Sequence, residues 1–443
     1  MFGYYFNLAL RSFRRNKVLT ALMVLTIAVG IGATMTTLTL YFVLSGDPIP
    51  EKSSQLFHPR LDARPQNDSG QPDPEPPEQL TRYDAEELLR QARGDRQALM
   101  SGGSVTILPE GMAAQPFRAS AQFTSADFFP MFQAPLHSGR VWNGAEDDSR
   151  ARVAVISDSM AEQLFPGQDP LGREIRLPEG SLEVIGVLGE WSLTPRFYDL
   201  ESRRFEDDGA QVFTPFSTSR ELELSAEGSM ACWGSRKEDG AEAQNVSPHA
   251  LNAPCVWVHY WVELDSPDKV DGYLQYLTDY SEQQRAAGRF ESPANVRLHS
   301  VMDWLDYKRV VPNDVRLQMW LAFGFLAVCL VNTVGLLLAK FLRRSGEIGV
   351  RRALGASRMD IFRQCLVEAG TIGVVGGAFG LLLAIGGLWL VRQQPDDYAQ
   401  LAQMDAAALA FTFVLALVAS LMAGALPAWR AMQITPAIQL KSQ

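Results

Sequence analysis

The sequence predicts a membrane protein with a four-span α-helical transmembrane domain and a large α/β extracytoplasmic domain. Two observations carry this prediction. Long runs without charged residues lie near both ends of the chain, and a polar, acidic block lies between them. The basic residues cluster beside the apolar runs, which indicates contact with membrane lipid. The net charge of -10 argues against a nucleic acid as a partner.

The first apolar run, residues 18–44, contains no charged residue. As a helix it would be roughly 40 Å long, which exceeds a hydrocarbon core of roughly 30 Å. A cleaved signal peptide is the alternative, because basic residues precede the run. The run is longer than a signal-peptide core and no small-residue cleavage site follows, so we favour an uncleaved anchor. Residues 1–17 carry Phe2, Phe6 and Phe13 on one helical face, which predicts a cytosolic interfacial helix or the cytosolic end of the first span.

Three further charge-free runs predict spans at residues 318–339, 369–390 and 406–428. Basic residues are concentrated in the segments that follow the second and fourth spans, residues 340–368 and 429–443. By the positive-inside rule these two segments and the N-terminus are cytosolic. The large domain (residues 45–313) and the acidic loop of residues 391–405 then lie outside. We refer to residues 340–368 as the elbow.

The extracytoplasmic block predicts two β-α-β units that pair as a split β-α-β fold, with a mixed α/β insertion between them. The units are expected at about residues 50–112 and 255–300, and the insertion at about 113–254. Thr81 is a candidate cap of the first helix, and a strand is expected at Ser104–Leu108. Residues 196–252 show no assignable pattern. Cys232 and Cys255 lie in this block and would form a disulfide if they are close in space, which sequence separation alone does not establish.

Chemistry-bearing motifs are missing from the sequence. It has no GxxxxGK[ST] phosphate loop, no GxSxG or HExxH motif, and five histidines without metal-ligand spacing. We therefore expect no catalytic residue, no metal and no cofactor bound by this chain. The predicted spans also lack carboxylates, which makes a solute path between them improbable. Residues expected to pack helices together are Asn332 and four glycines of the third span, Gly373, Gly376, Gly377 and Gly380.

Several stretches together carry a family resemblance. The elbow run EIGVRRALGASRMDIFRQCLVEA, the closing GALPAWRAMQITPAIQLK and the opening YYFNLALRSFRRNKVLTALMVLTIAVGIGA resemble the permease domain of MacB/FtsX-type ABC transporters. The pattern DFFPMF, VAVIS, LFPGQDPLGREI and EVIGV resembles the MacB-like extracytoplasmic core domain. The resemblance covers nearly the whole chain in the correct order.

The resemblance implies a non-catalytic permease of the bacterial inner membrane that pairs with a second permease, either the same chain or a paralogue. It also implies a separate cytosolic ABC ATPase dimer that binds ATP and Mg, because the fused ATPase of MacB itself has no counterpart here. ATP-driven motion would pass through the elbow to the periplasmic domain. By position, the coupling residues are Glu347, Arg351, Arg352, Gly355, Ala356, Ser357 and Arg358.

Simple chemistry is compatible with that assignment. Gly355 permits a sharp turn and Ser357 can cap the next helix. The arginines would pair with an acidic ATPase surface or lipid phosphate, or would only enforce topology. The leading expectation is export of peptides or small molecules, with a periplasmic adaptor and outer-membrane channel as further partners. The alternatives are lipoprotein extraction, FtsX-like regulation of a cell-wall hydrolase and, least favoured, a membrane-anchored enzyme.

Overall fold

The computed structural model describes residues 17–66, 73–109, 115–191, 193–200, 209–233, 247–393 and 406–433. The chain forms two compact units. One comprises Asp47–Val310, and the other comprises Met1–Gly46 together with Val311–Gln443. The interfacial helix expected in residues 1–17, most of the loop 391–405 and most of the tail 429–443 lie outside the described residues.

The described elements follow each other in chain order. The helices are α1 (Lys17–Ser45), α2 (Arg82–Gln91), α3 (Phe128–Met131), α4 (Gly144–Asp148), α5 (Asp158–Leu164), α6 (Phe216–Glu221), α7 (Pro267–Ala286), α8 (Val301–Tyr307), α9 (Asn313–Arg343), α10 (Ser345–Ala353), α11 (Arg358–Val391) and α12 (Ala406–Met432). The strands are β1 (Leu56–Leu61), β2 (Leu80–Thr81), β3 (Arg96–Ile107), β4 (Phe117–Thr124), β5 (Leu136–Gly139), β6 (Val153–Ser157), β7 (Glu174–Leu177), β8 (Gly180–Leu188), β9 (Val212–Pro215), β10 (Ser225–Ala226), β11 (Ala231–Cys232), β12 (Cys255–Glu263) and β13 (Val296–Ser300).

The α/β unit contains the predicted split β-α-β fold. Its strands run in the order β13-β1-β12-β3, all antiparallel to their neighbours. The units β1-α2-β3 and β12-α7-β13 therefore interleave, with one strand of each between the two strands of the other. The side chain of Thr81 caps α2 by accepting a hydrogen bond from the Asp84 amide at 3.1 Å. The predicted fold class is confirmed.

The inserted segment continues the same sheet instead of forming a separate one. Strand β3 pairs along most of its length with β4, and the path extends through β9, β6 and β8 to β5. The sequence predicted only a short strand at Ser104–Leu108, whereas β3 begins at Arg96. The reason is that nearly all of β3 is buried on both faces, so it lacks the alternation of polar and apolar residues that reveals a strand. Cys232 on β11, in the poorly patterned part of the insertion, lies opposite Cys255 at the start of β12, and the two form a disulfide.

Among the described residues, four helices are long and apolar enough to cross a membrane: α1, α9, α11 and α12. All four are longer than the predicted spans, α9 and α11 by the most. Helix α9 begins directly after Pro312 and continues to Arg343. Helix α11 starts at Arg358, well before the predicted start of the third span at residue 369. The sequence located the charge-free parts of α9 and α11, but both helices continue into the charged residues that flank those parts.

The glycines of α11 bring three helices into close contact. A Cβ on Gly377 would lie 2.6 Å from the Ala416 Cβ on α12, and one on Gly373 would collide with Ser420 of the same helix. A Cβ on Gly376 would lie 2.8 Å from Ile27 Cγ2 on α1, and Gly380 contacts the same helix. The two overlapping GxxxG spacings thus contact different neighbours, Gly373 and Gly377 on α12 and Gly376 and Gly380 on α1.

Asn332 is placed differently from the expectation. Its side chain is exposed on the outer face of α9, beside Val331 and two turns from Gly324. The buried polar contact of α9 comes instead from Thr34 on α1, whose hydroxyl donates to the Ala322 carbonyl at 3.2 Å. Asn332 therefore does not bridge helices within the described part of this chain, because the buried stripe of α9 runs through Ala322, Leu326 and Cys329.

Candidate functional site

The elbow is mostly helical. It consists of the last turn of α9, the short helix α10, a tight turn, and the first turns of α11. Gly355 in the turn has φ +104°, a conformation that a residue with a side chain rarely adopts. The Ser357 hydroxyl accepts from the Asp360 amide at 3.1 Å, and the Asp360 carboxylate accepts from the Ser357 amide at 3.1 Å. This capping box fixes the direction in which α11 leaves the turn.

The inner face of α10 packs against the long helices. Ile348 and Gly349 are buried, and Ile348 belongs to the apolar core that contains Phe341 and Ile361. Arg351 donates from Nη1 to Gln364 Oε1 on α11 at 2.9 Å. These contacts attach α10 to both helices that it connects.

Arg352 connects the same short helix to a third long helix. Its Nη1 donates to the Met432 carbonyl at 3.5 Å, at the end of α12. A helix C-terminus presents unpaired carbonyl groups and a partial negative charge, which a guanidinium stabilises. The elbow therefore contacts α9, α11 and α12.

An ion cluster joins the two ends of the elbow. Lys340 Nζ on α9 is 2.6 Å from Glu368 Oε1 on α11, and the two side chains are 0% and 3% exposed. Arg344 reaches Glu368 Oε2 at 3.3 Å and Glu347 Oε2 at 3.2 Å. Because the charges of Lys340 and Glu368 are removed from solvent, the geometry of this pair is strongly constrained. Lys340 and Glu368 were not among the predicted site residues, although their opposite charges at facing helix ends were a usable signal.

The outer face of the elbow is apolar, and the described part of the chain leaves it uncovered. Leu354 is 84% exposed, Val350 57% and Met359 52%. Arg358 is exposed beside them. Apolar side chains presented together on a rigid surface are typical of a protein-protein contact.

The structure divides the predicted coupling residues into two groups. Glu347, Arg351 and Arg352 contact the long helices of their own chain, and Ala356 is half-buried against the same core. Gly355, Ser357 and Arg358 lie on the outer side. Sequence reasoning did not identify the apolar residues of the outer face. Their signal was the spacing of Val350 and Leu354, which are four residues apart and separated by charged residues.

The described residues contain no group of three or more His, Cys, Asp and Glu side chains that could hold a metal ion. The buried His58 is part of the sheet packing, with Nδ1 2.9 Å from the Tyr260 carbonyl and Nε2 2.8 Å from the Glu78 carbonyl. A neutral ring donates to only one of these two carbonyls. Burial lowers the pKa of His58 to about 3, so its ring is neutral at physiological pH.

Comparison with known proteins places the chain in a family. A model described as the MacB-like periplasmic core domain matches residues 20–278, which is more than half of the chain. A second model, described as the FtsX-like permease C-terminal, matches residues 319–436.

Curated relatives point to the same family. The pyoverdine export ATP-binding/permease protein PvdT of Pseudomonas aeruginosa is 27% identical over 72% of this chain and 42% of its own length. The macrolide export ATP-binding/permease protein MacB of Marinobacter nauticus is 24% identical over 98% of this chain and 60% of its own length. The chain thus spans about half the length of the curated relatives that it matches.

Solved structures include the periplasmic region of MacB from Actinobacillus actinomycetemcomitans. It has 14% identity and a TM-score of 0.36, and the match covers 60% of this chain and 96% of that one. The two family models, which follow each other in the order expected for the α/β unit and the last three long helices, carry the assignment. The chain belongs to the MacB/FtsX-type family of ABC transporter permeases.

Proposed function

We propose that this chain is a permease subunit that transmits the motion of an ABC ATPase to its own extracytoplasmic domain. The single observation that carries the proposal is the outer face of the elbow. Val350, Leu354 and Met359 expose apolar surface that the described part of their own chain leaves uncovered. In a membrane permease of this family, an ATPase is the partner that such a surface fits.

The inner contacts of the elbow support transmission of force. Helix α10 is joined to α9 at Arg344, which pairs with Glu368 on α11. A displacement of α10 would therefore act on α9 through this junction, on α11 also through Arg351, and on α12 through Arg352. Helices α1 and α9 are the two segments joined directly to the extracytoplasmic domain along the chain. Helix α1 is tightly packed against α11 at Gly376 and Gly380. Motion at the elbow would therefore reach both connections.

The orientation in the membrane follows from charge. Arg343, Arg344, Arg351, Arg352 and Arg358 all lie in the elbow, which the positive-inside rule assigns to the cytosol. On this assignment the proposed docking face would lie on the side where ATP is available. Both chain termini would be cytosolic, and the extracytoplasmic domain, residues 45–313, would lie in the periplasm of a bacterial inner-membrane protein.

A second permease chain would pack along the outer face of α9. The exposed residues Leu317, Leu321, Val328 and Val331, together with Gly324 and Gly335, follow the alternating four- and three-residue spacing of a helix-pairing stripe. A Cβ on either glycine would meet no atom of this chain within 4 Å, which leaves room for a neighbouring helix. Asn332 adjoins this stripe and would form its hydrogen bonds across the dimer.

The output would be work done on molecules outside the inner membrane. Two relatives are named for export, of pyoverdine and of macrolides. We propose export of peptides or small molecules, with a periplasmic adaptor and an outer-membrane channel completing the path. ATP and Mg would bind the ATPase, and this chain would contribute no catalytic group.

Co-purification tests the proposal. The chain is expressed with a candidate ABC ATPase from the same genome and isolated through a tag on the permease. We expect the ATPase to remain bound, and Leu354→Glu to release it, because a carboxylate would have to be buried at the contact. Leu274→Glu on α7, an exposed apolar site in the extracytoplasmic domain, is the matched control and should retain it. Retention of the ATPase by Leu354→Glu would contradict the assignment of the docking face.

A further inference from the structure

The extracytoplasmic domain contains a cleft of about 720 Å³, a volume within the range of small-molecule sites. Helix α2 forms one side of the cleft, and α4 and α6 of the inserted segment form the other. Leu99 on β3 and Phe216 on α6 supply apolar lining. The cleft thus lies between the split β-α-β fold and its insertion.

Arg220 at the wall of the cleft is held in a fixed position. Its guanidinium lies over the rings of Phe123, Phe216 and Trp257, at 5.6, 5.7 and 5.3 Å from their centres. Nη2 donates to the Leu224 carbonyl at 2.8 Å. Aromatic packing and one backbone acceptor orient the group but do not neutralise its charge.

Among the described residues no carboxylate forms an ion pair with Arg220 within 4 Å, and Glu86 acts on its charge only from a longer distance. Burial, with a contribution from the nearby Arg82, lowers the pKa of Arg220 to about 10, so it stays protonated at neutral pH. Arg82 also lines the cleft, and it uses Nε for Glu86 at 2.6 Å and Nη1 for the His249 carbonyl at 3.0 Å. A buried guanidinium next to a second one favours an incoming carboxylate.

Six carboxylates line the same cleft, and three of them, Asp127, Asp147 and Asp148, are close enough to influence one another. The other three are paired with arginines: Glu86 with Arg82, Glu87 with Arg90 and Glu221 with Arg152. Asp147 accepts from the Ala126 amide at 2.8 Å, and burial together with the two neighbouring carboxylates raises its pKa to about 7. An ammonium group placed among them would relieve their mutual repulsion.

We propose that this cleft binds a zwitterionic, peptide-like molecule. Its carboxylate pairs with Arg220 and Arg82, its ammonium group faces Asp127, Asp147 and Asp148, and its apolar part packs on Leu99 and Phe216. The inference deepens the proposed function, since it names a class of cargo. Binding needs neither ATP nor the ATPase. Failure to bind would therefore leave the coupling proposal intact, and failure of ATPase docking would leave this one intact.

Equilibrium dialysis of the full chain in detergent micelles tests the proposal. The probe is a pool of apolar tetrapeptides with free termini, at about 1 mM, the weak end of specific affinity. Parallel pools carry a C-terminal amide or an N-terminal acetyl group. We expect the free pool to be retained and each modified pool to bind about 10-fold more weakly or worse, because each lacks one charged contact. No retention of the free pool, or equal retention of all three, would overturn the proposal.

Variants assign the contacts. Arg220→Gln should weaken binding of the free pool about 10-fold and should abolish its advantage over the amidated pool. Arg285→Gln on α7, where Arg285 pairs with Glu282 outside the cleft, is the matched control and should bind as the unmodified protein does. If Arg220→Gln fails to fold, Gly144→Trp provides a second test. Gly144 lines the cleft, and a Cβ there would meet no atom within 4 Å, so the bulk is tolerated locally and should block binding. Unchanged binding in either folded cleft variant would also refute the assignment.

Discussion

The ion cluster that joins the two ends of the elbow gives a quantitative prediction. In Lys340→Met the apolar part of the side chain is retained while its charge is removed. Glu368, 3% exposed, would lose its ion pair with Lys340 and keep the one with Arg344 at 3.3 Å. Removing one partner of a buried ion pair typically costs 3–5 kcal/mol, and the remaining arginine places the expected loss at about 3 kcal/mol of unfolding free energy.

The double variant Lys340→Met/Glu368→Leu separates charge from packing. Because both charges are then absent, we expect a loss of only about 1 kcal/mol, and hence a coupling energy of about 2 kcal/mol or more between the two positions. Arg343→Met, in the same helical turn but exposed, is the matched control and should change the free energy by about 0.5 kcal/mol or less.

The assay is SDS-driven unfolding of the purified chain in mixed micelles, followed by helical circular dichroism. The unmodified chain, Lys340→Met, Glu368→Leu, the double variant and Arg343→Met are measured under one set of conditions, so that differences in free energy do not depend on long extrapolation. Equal unfolding free energies for Lys340→Met and Arg343→Met would refute the predicted cost of breaking the buried ion pair. A loss of unfolding free energy in the double variant equal to the sum of the losses in Lys340→Met and Glu368→Leu would also refute it.

Three other predictions concern packing, pH and assembly. Gly377→Val should lower the unfolding midpoint in the same assay, since its Cβ would lie 2.6 Å from α12, whereas Gly386→Val, with no atom within 4 Å, should change it little. Burial lowers the pKa of His58 to about 3 in the folded protein, so the extracytoplasmic domain should lose stability as the pH falls below about 6.5. The expected loss is about 2 kcal/mol of unfolding free energy at pH 5, measured by thermal unfolding followed by near-ultraviolet circular dichroism. A His58→Gln variant whose stability changed with pH to the same extent would contradict this prediction. Val328→Cys should form an intermolecular disulfide in membranes under mild oxidation and Val375→Cys on α11 should not, and the reverse pattern would exclude α9 as the dimer face.

The sequence predicted best where one physical signal dominates. Absence of charge located all four long helices, because a charged group inside a lipid bilayer is costly. The same signal failed at helix ends, since backbone hydrogen bonding carries α11 back to Arg358 regardless of side-chain charge. Strand β3 was underestimated for a related reason, because burial on both faces removes its alternation.

The elbow shows which structural features could be predicted from residue types alone and which could not. Gly355 and Ser357 were predicted from local backbone chemistry, and the structure shows the positive φ and the capping box. Whether an arginine faces outward or inward depends on the packing of distant helices. Arg352, for example, reaches the end of α12, eighty positions along the chain. The cleft in the extracytoplasmic domain likewise joins segments that only the fold brings together.

One measurement tests the central claim most directly. The chain has four cysteines, of which Cys232 and Cys255 form a disulfide and Cys329 and Cys365 are buried. Leu354→Cys therefore introduces a single exposed thiol at the centre of the proposed docking face. Its rate of maleimide labelling is measured in membranes with and without the ABC ATPase, with Leu274→Cys as the reference.

If the elbow binds the ATPase, labelling at position 354 should slow by about 10-fold or more when the ATPase is present at saturation, as expected for a buried contact. Labelling at position 274 should not change. Equal labelling at position 354 with and without a bound ATPase would contradict the account, because the ATPase would then contact the permease elsewhere.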